Sequence, residues 1–315
     1  MRPEHVNLTQ APHGTRGWYE SFYQRANHPV KSWAFWLRYT IFRPSHRPDQ
    51  AIGELWAVWF DGESDRHVVA KEEFPLAQCD FSRDRFEVRV GDATLEPGKL
   101  QGEAGALAWD LTYTGSEPPL YLLPPNLYDG GFPKAKSLVA LPLATFSGTV
   151  RVDGTTIPID DWVGSQNHNW GSRHTDRYAF GQVAGFDNAP GSFLEVATAR
   201  TKIGPLWIPR TTLLVLRHNG HEHALTSLRQ GFRATAHYND TSWEFHSEND
   251  SVRVHGRISA QPADFVQLTY YNPPGGTKLC RNTKIGACEL TVTDKTTGRS
   301  ETLTTRHRAL FEILA

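Results

Sequence analysis

Residues 164–174 read GSQNHNWGSRH, a run of mostly polar side chains with two histidines and a tryptophan in its middle, followed by the apolar run YAFGQVAGF. The chemistry such a set offers is proton transfer. An imidazole titrates near neutrality and serves as acid, base or holder of a water. A tryptophan face stabilises a cation by about 2 kcal/mol once desolvated. His168 and Trp170 are therefore the leading candidates, with Asn167 beside them. The plainer alternative is a buried loop whose amides satisfy the backbone, with Gly164 and Gly171 as turn residues.

Alkene protonation is the demanding version of this chemistry, because an alkene is a very weak base. It needs a strong acid in a dry site, and a carboxylic acid in apolar surroundings stays protonated near neutral pH. Glu195 in SFLEVATA, Glu54 in IGELWAVWF and Asp176 just past the polar run are the candidate acids. Glu195 alternates with Leu194 and Val196 and so points away from their face. The plain reading of both glutamates is a solvent-facing position. Tyr178, Phe180, Gln182, Trp36 and Trp56 are the candidate substrate-binding residues. Trp33 with Trp36 and Trp56 with Trp59 are spaced by three, so strand alternation sends the members of each pair to opposite faces.

Other chemistries lack their signatures. His168 and His174 suit no single helix face, and the His221–Glu222–His223 pair follows a hairpin turn with no third ligand indicated, so no metal is expected. There is no phosphate-cradling glycine loop and no nucleophile elbow, and no cofactor is expected. The 33 Lys and Arg against 34 Asp and Glu are dispersed along the sequence, which argues against a nucleic-acid partner. No apolar run is long enough for a signal segment or a membrane span. Cys79, Cys280 and Cys288 are few and odd in number, which fits a reducing, cytoplasmic setting.

The elements that must position these residues are strands. Period-two alternation runs through 32–42, 51–60, 67–74 and 86–91, and resumes from 146 onward. The expected fold is all-β: two antiparallel barrels or curved sandwiches, residues 1–145 and 146–315, with a proline-rich crossover at 116–144 and a short C-terminal helix at 306–315.

The segment NHNWG followed by RYAFGQ resembles the central motif of lipocalin-like carotenoid hydratases of the hydroxyneurosporene synthase type, and the NWG segment of tocopherol cyclases. The decalin-forming fungal pericyclases and AttH-like proteins share the two-barrel layout. The match is specific over 164–186. It implies two lipocalin-like barrels packed together, a hydrophobic pocket, no cofactor, and an isoprenoid, polyene or lipid as the small-molecule partner, with at most peripheral membrane contact for uptake. It carries His168 and Trp170 over as functional, and Asn169, Gly171 and Gln182 as scaffold. Relatives carry a carboxylate immediately before the histidine where this chain has Asn167, so the acid must come from elsewhere. Hydration or cyclisation is the reading so implied. A carrier for a lipophilic ligand and a pericyclase are the alternatives.

Overall fold

The computed structural model describes residues 5–314. Backbone contacts divide the chain into two compact units. The first comprises residues up to Leu120, Pro125–His174 and Tyr270–Lys278; the second takes the rest.

Strands of the first unit are β1 (Trp18–Asn27), β2 (Trp33–Arg43), β3 (Ile52–Asp61), β4 (Val68–Pro75), β5 (Cys79–Phe81), β6 (Val88–Val90), β7 (Ala93–Glu96), β8 (Lys99–Ala104), β9 (Leu107–Thr114), the two-residue β10 (Leu120–Tyr121), β11 (Ala135–Val152) and β12 (Thr155–Gly171). They form one antiparallel sheet in the order β4-β3-β2-β1-β12-β11-β9-β8-β7-β6-β5, with β10 beside β11. The sheet curls until β3 touches β6, β8 and β9, giving a nearly closed barrel. Alternation decides what fills it. Phe22, Phe35, Leu37, Tyr39, Trp59 and Trp162 point into a core of large aliphatic and aromatic side chains. Trp33 and Trp59 lie on this inner side, and Trp36 and Trp56 meet on the other, as the spacing of three requires.

Strands lying wholly or mostly in the second unit are β13 (Arg177–Phe186), β14 (Ala189–Arg200), the ribbon β15 (Lys202–Ile203) and β16 (Leu206–Trp207), β17 (Thr211–His218), β18 (His221–Leu225), β19 (Thr235–Tyr238), β20 (Ser242–Glu248), β21 (Val252–Ser259), β22 (Val266–Tyr271), β23 (Thr277–Asp294) and β24 (Ser300–Leu314). Its sheet runs β18-β17-β14-β13-β24-β23-β21-β20-β19, and its core gathers Phe186, Leu194, Trp243, Phe245 and Phe311.

Three expectations need correcting. The boundary at 145/146 falls inside β11, and the β11–β12 hairpin belongs to the first unit because β12 hydrogen-bonds between β1 and β11. The proline-rich crossover ends before Ala135. Pro142 fits within β11 because the register shifts there, and the left-handed Leu143 (φ 52°) absorbs the irregularity. The C-terminal segment is strand β24, paired on both sides with β13 and β23, so tertiary pairing overrides its local helix preference. The α-helix is instead α1 (Leu228–Arg233), opened by a capping box between Ser227 and Gln230. No helix among the described residues is long and apolar enough to cross a membrane.

Candidate functional site

The polar run is the end of β12, not a loop. Its alternate residues Gln166, His168 and Trp170 point into the first barrel, and Ser165, Asn167 and Asn169 point out. Gly164 and Gly171 are strand residues as well. A Cβ at Gly164 would stand 1.7 Å from the Arg25 carbonyl oxygen, and one at Gly171 2.0 Å from that of Lys134, so close backbone approach demands glycine at both.

β1 supplies the partners: Glu20 opposite Trp170, Phe22 opposite His168 and Gln24 opposite Gln166. His168 Nδ1 donates to the Val6 carbonyl at 2.7 Å, since a carbonyl only accepts. Its Nε2 lies 2.8 Å from Glu20 Oε1. Glu20 Oε1 also accepts from the Gln10 backbone N–H at 2.6 Å, and Oε2 accepts from the Thr9 hydroxyl at 2.8 Å and Trp18 Nε1 at 3.2 Å. Phe22 stacks on the imidazole at 4.1 Å and Trp170 lies 4.6 Å away, itself 6.0 Å from Tyr128. Both atoms of the Gln24 amide are buried with no hydrogen-bond partner among the described residues. Asn167, on the other face, spends its amide on Ser165 Oγ at 2.9 Å and on backbone carbonyls.

Glu54, Trp56 and Trp36 gather on that other face, so β1–β3 separate them from His168. Arg38 pairs with Trp56 and Thr40 with Glu54 across the β2–β3 ladder, and β4 adds Lys71 and Glu73. The segment Tyr270–Lys278 covers this face. Trp56 meets Tyr270 edge-on at 5.8 Å, and the Arg38 guanidinium lies 4.6 Å over the same ring. Lys71 Nζ sits 4.1 Å over Tyr271, 2.6 Å from Glu54 Oε1 and 2.5 Å from Glu73 Oε1. Arg38 donates to Ser21 Oγ at 2.7 Å, and Ser21 shares a hydrogen bond with Thr40. Trp56 Nε1 is buried with no partner among the described residues.

The electrostatics of this face separate its groups. Burial raises the Glu54 pKa above the ordinary carboxylate range despite the opposing Lys71 and Arg38 charges. Burial works against the Lys71 ammonium, but Glu54 and Glu73 hold its pKa above normal. Glu73 is itself partly desolvated, yet hydrogen bonds from Lys71 and Tyr271 keep it low. His174 stacks 3.9 Å from Tyr19 and 6.0 Å from Tyr270 and donates from Nε2 to the Tyr271 carbonyl. Burial, seconded by Arg38, lowers its pKa to about 3. The arrangement is one protonatable carboxyl group among aromatic faces, a lysine beside it and a neutral imidazole nearby.

The remaining expected residues lie in the second unit. Gln182 and Glu195 face each other across β13 and β14, on the side opposite Val183, Leu194 and Val196. Neither Glu195 nor Glu54 faces solvent, at 1% and 4% exposure. Phe180 shares the face of Gln182, opposite Glu312, which sits 3.0 Å from the buried Lys284 ammonium. The Tyr178 hydroxyl lies 3.7 Å from Cys280 Sγ. Asp176 accepts the Lys202 backbone N–H and is held by the chain. His221 and His223 stand 6.4 Å apart on the exposed β17–β18 hairpin.

The expected site thus divides into three groups: His168 and Trp170 inside the first barrel, Glu54, Trp36 and Trp56 outside it, and Glu195, Gln182, Tyr178 and Phe180 in the second unit. Sequence reading missed Glu20, Arg38 and Lys71, and weighed His174 only as a metal ligand. Glu20 lies in β1, whose WYESFYQRAN carries large or polar side chains on both faces and hides its alternation.

The fold is an all-β one of two lipocalin-like units, as the resemblance of segment 164–186 implies, and it is shared with solved structures. An AttH-like protein from Nitrosomonas europaea superposes with a TM-score of 0.63 at 15% identity, over 97% of this chain and 94% of the other. Kievitone hydratase from Nectria haematococca gives 0.62 at 11% identity over 100% and 92%, and CghA gives 0.57 at 11% over 96% and 88%. These likenesses establish the fold. No family model matches the chain. In sequence it is similar to an uncharacterized protein of Mycobacterium tuberculosis, found in strains CDC 1551 and H37Rv, at 23% identity over 272 residues covering 86% of this chain and 80% of that protein.

Proposed function

We propose that the protein is a cofactor-independent enzyme of hydratase or cyclase type that protonates a carbon–carbon double bond of an apolar substrate, an isoprenoid or polyene, with Glu54 as the acid. The observation that carries this reading is the buried Glu54 carboxyl group, its pKa raised, on a face built from Trp36, Trp56 and Tyr270. The likeness in fold to a protein named as a hydratase supports it.

In the proposed step the Glu54 proton adds to one alkene carbon, the π bond breaks, and the positive charge falls on the other carbon. The rings of Trp36, Trp56 and Tyr270 stabilise that charge through their faces. After transfer, the Glu54 and Glu73 carboxylates balance the charges of Arg38 and Lys71, so the site does not accumulate positive charge beside the cation. Lys71, 2.6 Å from Glu54, holds the new carboxylate. Water then captures the cation and, on losing an O–H proton, gives an alcohol; or a second double bond attacks it, which closes a ring and moves the positive charge to a new carbon, and a neighbouring C–H bond gives up its proton to form an alkene. The excess proton returns to the carboxylate. His168 spends both ring nitrogens on Val6 and Glu20, and we assign it to holding the barrel end that supports this face.

The test is turnover of a panel of acyclic isoprenoids and polyenes in D2O, read by mass spectrometry. Hydration adds one oxygen and fixes one deuterium on carbon. Protonative cyclisation fixes deuterium without oxygen. A substrate recovered bound but unchanged, or a rearranged product free of deuterium, would replace this reading with the carrier or the pericyclase.

A further inference from the structure

The cations that are dispersed in sequence are gathered by the second unit at one end of its sheet. Arg177 opens β13, Arg200 closes β14 opposite it, and Lys202 begins the β15–β16 ribbon. All three surround the Trp207 ring, at 5.3, 4.9 and 4.6 Å from its centroid. Arg210 leads into β17, whose first residues, Thr211 and Leu213, pack against Gly231 of α1. Arg229 and Arg233 are exposed on that helix. Glu222 is the sole acid between 200 and 233, and it is paired with Arg217. Among the described residues none of the six cations forms an ion pair. Asp176, nearby, is engaged by the Lys202 backbone N–H.

The same end exposes apolar groups: Leu206 at 73%, Leu228 at 48% and Phe232 at 49%. Unpaired like charges crowded on one indole repel one another unless an anionic partner compensates them. Aromatic and leucine side chains set among Lys and Arg form the composition that settles at a bilayer interface, apolar tips in the acyl boundary and cations at the phosphates.

We propose that this end of the second unit docks on anionic phospholipid surfaces, with Leu206, Trp207 and Phe232 entering the interface and the surrounding Arg and Lys residues binding lipid phosphates. The proposal stands apart from the chemistry assigned to Glu54.

Flotation of the full chain with phosphatidylcholine vesicles, with and without phosphatidylglycerol, tests it. The expected result is binding to the anionic vesicles, weakened by salt and absent with phosphatidylcholine alone. Arg200→Gln with Lys202→Gln should lower partitioning roughly 30-fold, since each cation near such a surface contributes about 1 kcal/mol. Leu206→Ser should lower it further while leaving the melting midpoint unchanged, because the side chain is exposed. No binding to anionic vesicles, equal binding by the double variant, or retention on RNA but not on vesicles would overturn the proposal.

Discussion

His168 Nε2 stands 2.8 Å from Glu20 Oε1, joining two side chains 148 positions apart, both sealed from solvent. With Nδ1 given to Val6 and three further donors on Glu20, the pair clips residues 6–10 onto the β1–β12 ladder. Removing one partner leaves the other buried without compensation, which costs about 3–5 kcal/mol. His168→Ala should therefore lower the denaturant midpoint by a corresponding amount. A His168→Ala protein that unfolds like the parent but has lost turnover would return the histidine to a catalytic role.

Glu54→Gln keeps the shape of the side chain and removes its proton. Turnover should fall about 10²–10⁴-fold, the usual contribution of a general acid, with little change in melting. In the proposed step the acid form is the active one, and burial raises its pKa, so rate should fall as pH climbs through a value above the ordinary carboxylate range. Any stability linked to Glu54 is present below its unfolded pKa and is lost over the same climb. Lys71 lowers the Glu54 pKa, so Lys71→Met should move the alkaline limb of the rate profile to higher pH. A limb that stays in place separates the rate from Glu54.

His174 carries the opposite sign. Its folded pKa is depressed from 6.5 to about 3, so its neutral form contributes stability that is whole above pH 6.5 and is lost as pH falls toward 3. The slope contributed by one proton is at most about 1.4 kcal/mol per pH unit. His174→Phe keeps a ring between Tyr19 and Tyr270 and should flatten the acid side of the stability curve, as measured by urea unfolding across that window. An unchanged slope would mean that the imidazole is protonated in the folded protein.

Gly164→Ala tests the close approach of β12 to β1. The added methyl would meet the Arg25 carbonyl oxygen at 1.7 Å and Ala26 Cα at 2.6 Å, both backbone atoms that cannot step aside without moving the strand. A loss of about 1–3 kcal/mol or more is expected by denaturant unfolding. The same substitution at Gly191, where a Cβ meets nothing within 4 Å, serves as the control.

Much of the fold was legible because a strand states its faces through alternation. The segments around Trp33–Trp36 and Trp56–Trp59 show this, and so does Glu195, which points away from Leu194 and Val196 as its position requires. Legibility failed where local pattern and pairing disagree. RHRALFEILA has a helical look, but its backbone completes a ladder between β13 and β23. Pro142 looked like part of a linker, but a bulge lets it sit in β11. The polar run looked like a loop, yet it is the inward and outward faces of one strand end.

The sequence by itself determined the class of fold, the side of the strand on which residues such as Trp36, Trp56 and Glu195 fall, and the scarcity of signatures for other chemistries. These follow from local, period-two geometry. Only the tertiary structure decided which side is the inside of a barrel and which residues far apart in the chain meet. It put Glu20 against His168, set Lys71 and Tyr270 around Glu54 and Trp56, and drew Arg177, Arg200 and Lys202 onto one indole. Those contacts join residues whose separation along the chain carries no pattern, and they arise from strand register and curvature, which the whole sheet sets at once.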